Sequence, residues 1–280
     1  MHEPVNIDLH CHSDQSDGSL SPQALVARAH TQGVEMLSIT DHDTVSAYSL
    51  LRARPYKQSL HIIAGAEFST IWNGIGVHIV GLNLDLSAAS LVAGIRFQKD
   101  ARRKRARSIA ERLVKRGAPG STMSLAETHA GNSIGRPHFA DHLVQTGYVK
   151  NLNEAYRKYL GPGKPGDVNT FWATPEQILS WIHDARGLAV LAHPAKYKMS
   201  RSKLRRLLKD FRCSGGDAME VISGRQNHTT TREMALLSTS FDLLASVGSD
   251  FHRPGMSWNE LGCCAELPSN CTPVWSRFSP

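Results

Sequence analysis

Short runs of aliphatic residues, each bounded by polar or turn residues, recur along the chain and predict buried β-strands. Longer segments with helical spacing lie between them, such as 21–31, which opens with Ser21-Pro22 and is followed by Gly33. Because strands and helices alternate, the pattern predicts an α/β fold with a parallel sheet. The seven predicted strands are 5–10, 35–40, 60–67, 76–82, 188–192, 218–222 and 243–248.

Histidines and acidic residues stand in or just after six of these strands. In the first strand, alternation places His10 and His12 on one face and Cys11 on the other. Ligands at the carboxyl ends of parallel strands meet at one rim, where barrel enzymes build their active sites. The pattern therefore predicts a multinuclear metal site, with the candidate ligands His10, His12, Asp17, His42, Glu67, His78, His193, Asp250 and His252.

The chemistry of these ligands favours a particular reaction. Imidazole with carboxylate forms a mixed nitrogen and oxygen set, which suits Mn, Fe or Zn better than Mg or Ca. A carboxylate such as Glu67 can bridge two cations roughly 3.5–4 Å apart, and a water held between them becomes hydroxide near neutral pH. Because the remaining positive charge stabilises phosphoryl oxygens, the site predicts hydrolysis of phosphoesters, with Glu67 holding the attacking hydroxide.

Net charge and cysteine usage narrow the class of protein. The 280-residue chain has a net charge of +7, which favours an anionic substrate. It has no apolar stretch long enough to cross a bilayer, and its start lacks the features of a secretion signal. Its five cysteines lack paired zinc spacing and are expected to be reduced thiols. These features predict a cytoplasmic enzyme with no membrane partner.

The chain between His78 and His193 is longer than one crossover helix requires. We assign 99–185 to an inserted, mainly helical subdomain that caps the substrate, and 1–98 with 186–280 to a metal-binding barrel. A basic run at 99–116 predicts an amphipathic helix. Its arginines either form a solvated face or steer polyanions toward the site.

Three motifs resemble the polymerase and histidinol phosphatase (PHP) superfamily. They are Asp8-Leu9-His10-Cys11-His12-Ser13 with Asp17-Gly18, Ile39-Thr40-Asp41-His42-Asp43, and Gly248-Ser249-Asp250-Phe251-His252. The resemblance implies a distorted (β/α)7 barrel that holds three divalent ions, with Mn expected and Fe or Zn as alternatives. It implies that one ion takes His10, His12, Glu67 and Asp250, a second takes Glu67, His78 and His193, and a third takes Asp17, His42 and His252.

The inserted segment is similar to the PHP subgroup of 3′,5′-nucleoside bisphosphate phosphatases. The similarity lies in Gly135-Arg136-Pro137-His138 and in the loop 159–165, with further likeness around His193 and at 258–262. It implies removal of the 3′-phosphate from nucleoside bisphosphates, or 5′-to-3′ release of nucleotides from short 5′-phosphorylated RNA.

Basic residues of the insertion are candidates for holding the 5′-phosphate. Arg136 is the first candidate, because a guanidinium can bind phosphate bidentately, and Lys164 is the second. His138 either contacts substrate or packs against its own helix. Asp43 is expected to orient His42. The group that protonates the departing oxygen is left unassigned.

The sequence is also compatible with three alternative functions. Histidinol phosphate phosphatase shares the metal chemistry but needs no residue that binds a 5′-phosphate. A phosphodiesterase would act on cyclic phosphates or longer nucleic acid. The third alternative is a non-catalytic nucleic-acid-binding PHP module whose ions only stabilise the fold.

Overall fold

Eight strands lie in the described residues, 6–54, 60–128, 134–168 and 171–278, of a computed structural model of the chain. They form two sheets, with β1-β2-β3 in one and β4-β5-β6-β7-β8 in the other. Each predicted strand overlaps an observed one, and the predicted strand 60–67 is two strands, β3 and β4. The strands are β1 (Ile7–Cys11), β2 (Met36–Ile39), β3 (His61–Ile62), β4 (Gly65–Trp72), β5 (Ile75–Leu82), β6 (Leu188–Leu191), β7 (Ala218–Ser223) and β8 (Leu244–Gly248).

The second sheet is mixed, so the prediction of a parallel sheet was wrong there. Strand β5 runs antiparallel to both β4 and β6, whereas β6, β7 and β8 are parallel, as are β1, β2 and β3. Strand β4 continues to Trp72 and returns through Asn73 and Gly74, whose φ angles are 46° and 77°. Asn-Gly is the preferred pair for a two-residue hairpin turn. The sequence therefore contained the signal for this hairpin.

Helices separate β1 from β2, β2 from β3 and each pair of strands after β5, whereas β3, β4 and β5 follow one another without a helix. Helix α1 is capped as its Ser-Pro start predicts, since the Ser21 side chain accepts a hydrogen bond from the Ala24 N–H. A π-helical turn follows α6 at Tyr156–Leu160, and a short 3-10 turn lies at Pro194–Lys196. The helices are α1 (Pro22–Thr31), α2 (Ser46–Ala53), α3 (Ala89–Val114), α4 (Ser121–Thr128), α5 (Arg136–Gln145), α6 (Leu152–Ala155), α7 (Pro175–Asp184), α8 (Arg201–Cys213) and α9 (His228–Ser240).

Contacts divide the chain into two units. The first comprises Met1–Ile95 and Ala173–Pro280, and the second comprises Arg96–Trp172. The insertion predicted from sequence extends to residue 185 instead. The difference arises from α7, whose residues Ile178, Leu179 and Ile182 are buried in the hydrophobic core of the first unit.

The second unit buries two arginines of the basic run. The guanidinium carbons of Arg102 and Arg105 lie 5.2 and 5.4 Å from the centre of the Trp172 ring. Arg105 Nε donates to the Val168 carbonyl at 2.7 Å, and Arg102 Nη1 donates to the Ile134 carbonyl at 3.4 Å. Both side chains are almost fully buried. Neither prediction for the run, a solvated face or a surface that steers polyanions, holds for these two residues.

The first unit has two hydrophobic clusters, one centred on β4 to β8 and one on β1 and β2. Cys11 belongs to the second cluster, where its thiol donates to the Ser38 carbonyl at 3.3 Å. Cys11 therefore faces the interior behind β1, as alternation predicts, and all five cysteines are free thiols. Within the described residues, no helix is long and apolar enough to cross a membrane.

Gly248 marks a close approach between β8 and β1. A Cβ atom at this position would lie 2.8 Å from the His10 amide nitrogen and would also collide with the His10 Cβ. We expect Gly248→Ala to lower the free energy of unfolding by about 1–3 kcal/mol, because the two strands must separate. Denaturant unfolding measures this change.

The matched control is Gly76→Ala in β5, where nothing lies within 4 Å of the added methyl group. We expect this variant to retain wild-type stability. Equal stabilities of the two variants would contradict the predicted clash at Gly248.

Candidate metal centre

All nine predicted ligands lie in the first unit, and their side chains converge. His10 and His12 straddle the end of β1 and are fully buried. Their Nε2 atoms lie 3.1 Å apart. Glu67 lies in β4, and its side chain is also fully buried.

The two imidazoles of His10 and His12 lie close to two carboxylates. Glu67 Oε2 lies 3.4 Å from His10 Nε2 and 3.3 Å from His12 Nε2. Asp250 Oδ1 lies 3.7 and 3.4 Å from the same two nitrogens. Ligands about 2.0–2.1 Å from a tetrahedral ion are roughly 3.3–3.4 Å from one another. The donors of His10, His12 and Glu67 therefore have the spacing expected around a single ion, and Asp250 faces both imidazoles.

The second oxygen of Glu67 faces a different pair of imidazoles. Glu67 Oε1 lies 2.8 Å from His78 Nδ1 and 3.0 Å from His193 Nε2. His42 Nδ1 lies 2.9 Å from the other oxygen, Glu67 Oε2. One carboxylate thus separates two groups of nitrogens, which is the geometry a bridging ligand needs.

A third group gathers around Asp17. Its carboxylate oxygens lie 3.3 Å from His252 Nε2 and 3.7 Å from His42 Nε2. His12 belongs to this group as well, since one donor atom from each of the four residues lies within 4.8 Å of the others. The family resemblance assigns His12 to a different ion. Its place in this third group was therefore not expected from the sequence.

The electrostatics of the cluster also fit cations. Burial and the neighbouring His252 lower the pKa of His12 to about 3, so this imidazole is neutral. Burial opposes ionisation of Glu67, but the imidazoles of His42 and His78 hold the pKa of Glu67 well below its ordinary value. In the described part of the chain, the buried Nδ1 atoms of His12 and His193 have no hydrogen-bond partner. Such atoms are costly unless an ion binds them.

Three residues of the site adopt left-handed backbone conformations. The φ angles are 55° for Asp43, 33° for His193 and 55° for Asp250. Such conformations cost of order 1–3 kcal/mol in residues other than glycine and persist where the surroundings enforce them. The fold therefore holds these residues in place at an energetic cost.

The chain matches the model of a known protein family. The PHP domain pattern matches residues 8–160, more than half of the chain. The chain belongs to the PHP family. The resemblance seen in its three motifs is confirmed, and with it the expectation of a metal-dependent hydrolase.

Relatives of the chain match it over nearly its whole length. A 5′-3′ exoribonuclease of Haemophilus influenzae is 41% identical over 97% of this chain and 98% of its own. A 3′,5′-nucleoside bisphosphate phosphatase of Chromobacterium violaceum is 39% identical over 98% of this chain and 96% of its own. A solved structure of an amidohydrolase from Chromobacterium violaceum, with bound sulfate and no metal, is 39% identical with a TM-score of 0.88, over 98% and 96% of the two chains.

Glu220, which the sequence patterns did not single out, lies behind two candidate ligands of the PHP site. This buried carboxylate contacts His10 Nδ1 through Oε1 and accepts the His193 backbone N–H through Oε2 at 2.7 Å. It therefore fixes a ring on β1 and the backbone after β6 together. An acidic residue inside the apolar strand β7 was the available signal.

Asp41 was noted within a motif but given no role. Its carboxylate accepts hydrogen bonds from the Ser13 N–H at 2.7 Å and from the Ser13 and Ser16 hydroxyls at 2.6 Å each. Burial raises the pKa of Asp41 to about 6. Asp41 thus holds the turn that leads to Asp17. Asp43, which was expected to orient His42, accepts the Ser69 N–H at 2.9 Å.

The candidate phosphate-binding residues lie in the second unit. Arg136 opens α5 and donates to the Leu160 carbonyl at 3.3 Å. His138 Nδ1 accepts the Gly135 N–H at 3.1 Å and so caps the start of the helix. Lys164 is exposed in a turn, where its N–H donates to the Gly161 carbonyl at 3.0 Å.

Replacing Glu220 tests how far the PHP ligands depend on this carboxylate. We expect Glu220→Gln to weaken Mn²⁺ binding about 10- to 100-fold, because such orienting partners contribute that much to metal affinity. Calorimetric titration of the metal-free protein measures the change. Glu266→Gln, at an exposed position, is the control. Equal Mn²⁺ affinity in both variants would rule out an orienting role.

Proposed function

We propose that the protein hydrolyses phosphoesters of 5′-phosphorylated nucleotides. It removes the 3′-phosphate of nucleoside 3′,5′-bisphosphates and releases nucleotides from the 5′ end of short RNAs. The observation that carries the proposal is that relatives about 40% identical over nearly the whole chain have these two activities in their names. The donor cluster supports it, since both reactions break a phosphoester bond.

The proposed metal ligands follow the donor spacing. The first ion is held by His10, His12, Glu67 and Asp250, because both carboxylates lie within 3.7 Å of the two histidine Nε2 atoms. The second is held by Glu67, His78 and His193, and the third by Asp17, His42 and His252. Nitrogen and carboxylate ligands together favour Mn, with Fe or Zn as alternatives.

Divalent ions at these donors supply Lewis-acid activation of water and positive charge for the phosphoryl oxygens. The residues of the chain hold the imidazoles in position. Glu67 keeps two groups of imidazoles at fixed spacing, and Glu220 keeps His10 in one orientation. We propose that the second unit caps the substrate and that Arg136, with Lys164 and His138, holds the 5′-phosphate. Such a contact away from the reacting bond orients that bond.

We also infer that seven strands close into the (β/α)7 barrel of the family. Parallel bridges support closure, one joining Cys11 to Phe251 and one joining His42 to Glu67. They link the end of β1 to the segment after β8, and the segment after β2 to β4. The ring then contains every strand except β3.

A substrate panel with the Mn²⁺-loaded protein tests the function. We expect turnover of adenosine 3′,5′-bisphosphate and of a 5′-phosphorylated RNA trimer, because both present a 5′-phosphate next to the reacting ester. A 5′-hydroxyl trimer, histidinol phosphate and a cyclic nucleotide should react much more slowly. Release of phosphate and AMP measures the rates.

The control for this panel is Asp250→Asn, since asparagine tolerates the left-handed backbone at this position. It should lose bound metal and turnover together, by on the order of 100-fold or more. Turnover of histidinol phosphate alone would replace the proposed substrate class. Metal binding without any turnover would favour a non-catalytic module.

Arg136→Ala tests the contact with the 5′-phosphate. We expect KM for adenosine 3′,5′-bisphosphate to rise about 10- to 100-fold, the range for losing a hydrogen bond to a charged group. KM for the 5′-hydroxyl trimer should not change. Arg157→Ala, an exposed arginine of the same unit, is the control. A parallel rise of KM for both substrates would contradict a specific 5′-phosphate contact.

A further inference from the structure

A lysine lies at the edge of the metal centre, although an ammonium group cannot serve as a metal ligand. Lys196 Nζ lies 2.7 Å from Asp250 Oδ2. The other oxygen of the same carboxylate, Oδ1, faces His12 Nε2 at 3.4 Å. Asp250 therefore divides its two oxygens between the proposed ion site and the ammonium group.

The backbone conformation fixes the position of the Lys196 Cα atom, from which the side chain extends. His193 has a left-handed conformation, and the 3-10 turn Pro194–Lys196 follows it directly. The Lys196 N–H donates to the His193 carbonyl at 2.9 Å, which closes the turn. The lysine is thus anchored three residues after a proposed metal ligand.

Electrostatics argue against a role in holding the ions. A cation next to Asp250 repels a bound metal ion and competes with it for the carboxylate. The position instead suits an anion that arrives after the metals. The side chain of Lys196 is 39% exposed, whereas those of His10 and His12 are inaccessible. The side chain of Lys196 therefore reaches solvent, from which substrate arrives, whereas the two imidazoles do not.

The ammonium group also has donors to spare. It carries three N–H groups, and in the described part of the chain Asp250 is its only hydrogen-bond partner. Two donors remain for an incoming oxygen. Lysine is a common phosphate-binding residue because its charge sits at one point on a flexible stem.

We propose that Lys196 is a catalytic residue that donates hydrogen bonds to the phosphoryl group undergoing hydrolysis while it stays paired with Asp250. The proposal rests on the proposed function, since it assumes a phosphoryl group at the metal centre. It gives the centre a positive charge supplied by the chain itself, in addition to that of the ions. Lys196 stabilises the phosphoryl oxygens as their charge increases during the reaction.

Inorganic phosphate is the probe that separates this role from a structural one. We compare Lys196→Met, Lys196→Arg and the control Lys198→Met, an exposed lysine of the same loop. Calorimetry gives the affinity of each protein for Mn²⁺ and then the affinity of each Mn²⁺-loaded protein for phosphate. Turnover of adenosine 3′,5′-bisphosphate is measured in parallel.

For Lys196→Met we expect phosphate affinity and kcat to fall about 10- to 100-fold, the range for losing a charged hydrogen bond. Its Mn²⁺ affinity should be unchanged or tighter, because a competing cation is gone. Lys196→Arg should recover most of the phosphate affinity, and Lys198→Met should match the wild type.

Two results would overturn the proposal. One is a Lys196→Met protein whose affinity for Mn²⁺ falls while the affinity of the Mn²⁺-loaded protein for phosphate equals that of the wild type. Lys196 would then be only a structural partner of Asp250. The other is a Mn²⁺-loaded wild type that does not bind phosphate. If the wild type hydrolyses no nucleotide, the proposed function fails, yet the phosphate affinities still decide the role of Lys196.

Discussion

The carboxylate of Glu67 is the interaction on which the centre depends. It is fully buried, and its two oxygens face different groups of imidazoles from four separate segments. A buried charge is tolerated only where opposite charge or hydrogen bonds surround it. The end of β1, the middle of β5 and the loops after β2 and β6 must therefore approach one strand, β4, closely. The same close spacing of imidazole rings and carboxylates favours the binding of cations.

Carboxylates that lie behind the proposed ligands hold this arrangement from within the chain. Asp8 accepts the N–H groups of Ser249 at 2.8 Å and Gly262 at 2.9 Å. Asp41 holds the turn before Asp17, and Glu220 holds His10 together with the backbone of His193. Each joins segments distant in sequence, so the donors are positioned before any ion arrives. Such support is what a precise site requires.

The strands and the converging donors could be predicted from sequence, because aliphatic runs and polar residues at their ends are local patterns. The direction of β5 was missed because the Asn73-Gly74 turn was not weighed against the alternation of strands and helices. Arg102 and Arg105 were misjudged because burial of a guanidinium depends on carbonyls and on Trp172, all remote in sequence. Glu220 was missed for a related reason, since its partners come from β1 and from the segment after β6.

The pairing of β4 with β5 determines which side chains reach the centre. Glu67 lies opposite Val80, and Ser69 lies opposite His78, so Glu67 and His78 share one face of the hairpin. A strand that slips by one residue turns every side chain to the other face. Surface loops usually tolerate insertions and deletions, but the turn at Asn73 and Gly74 joins two strands whose register places Glu67 and His78 on one face. A change in its length that shifted the register by one residue would carry His78 into the hydrophobic layer, so this short turn helps to decide which side chains can meet an ion.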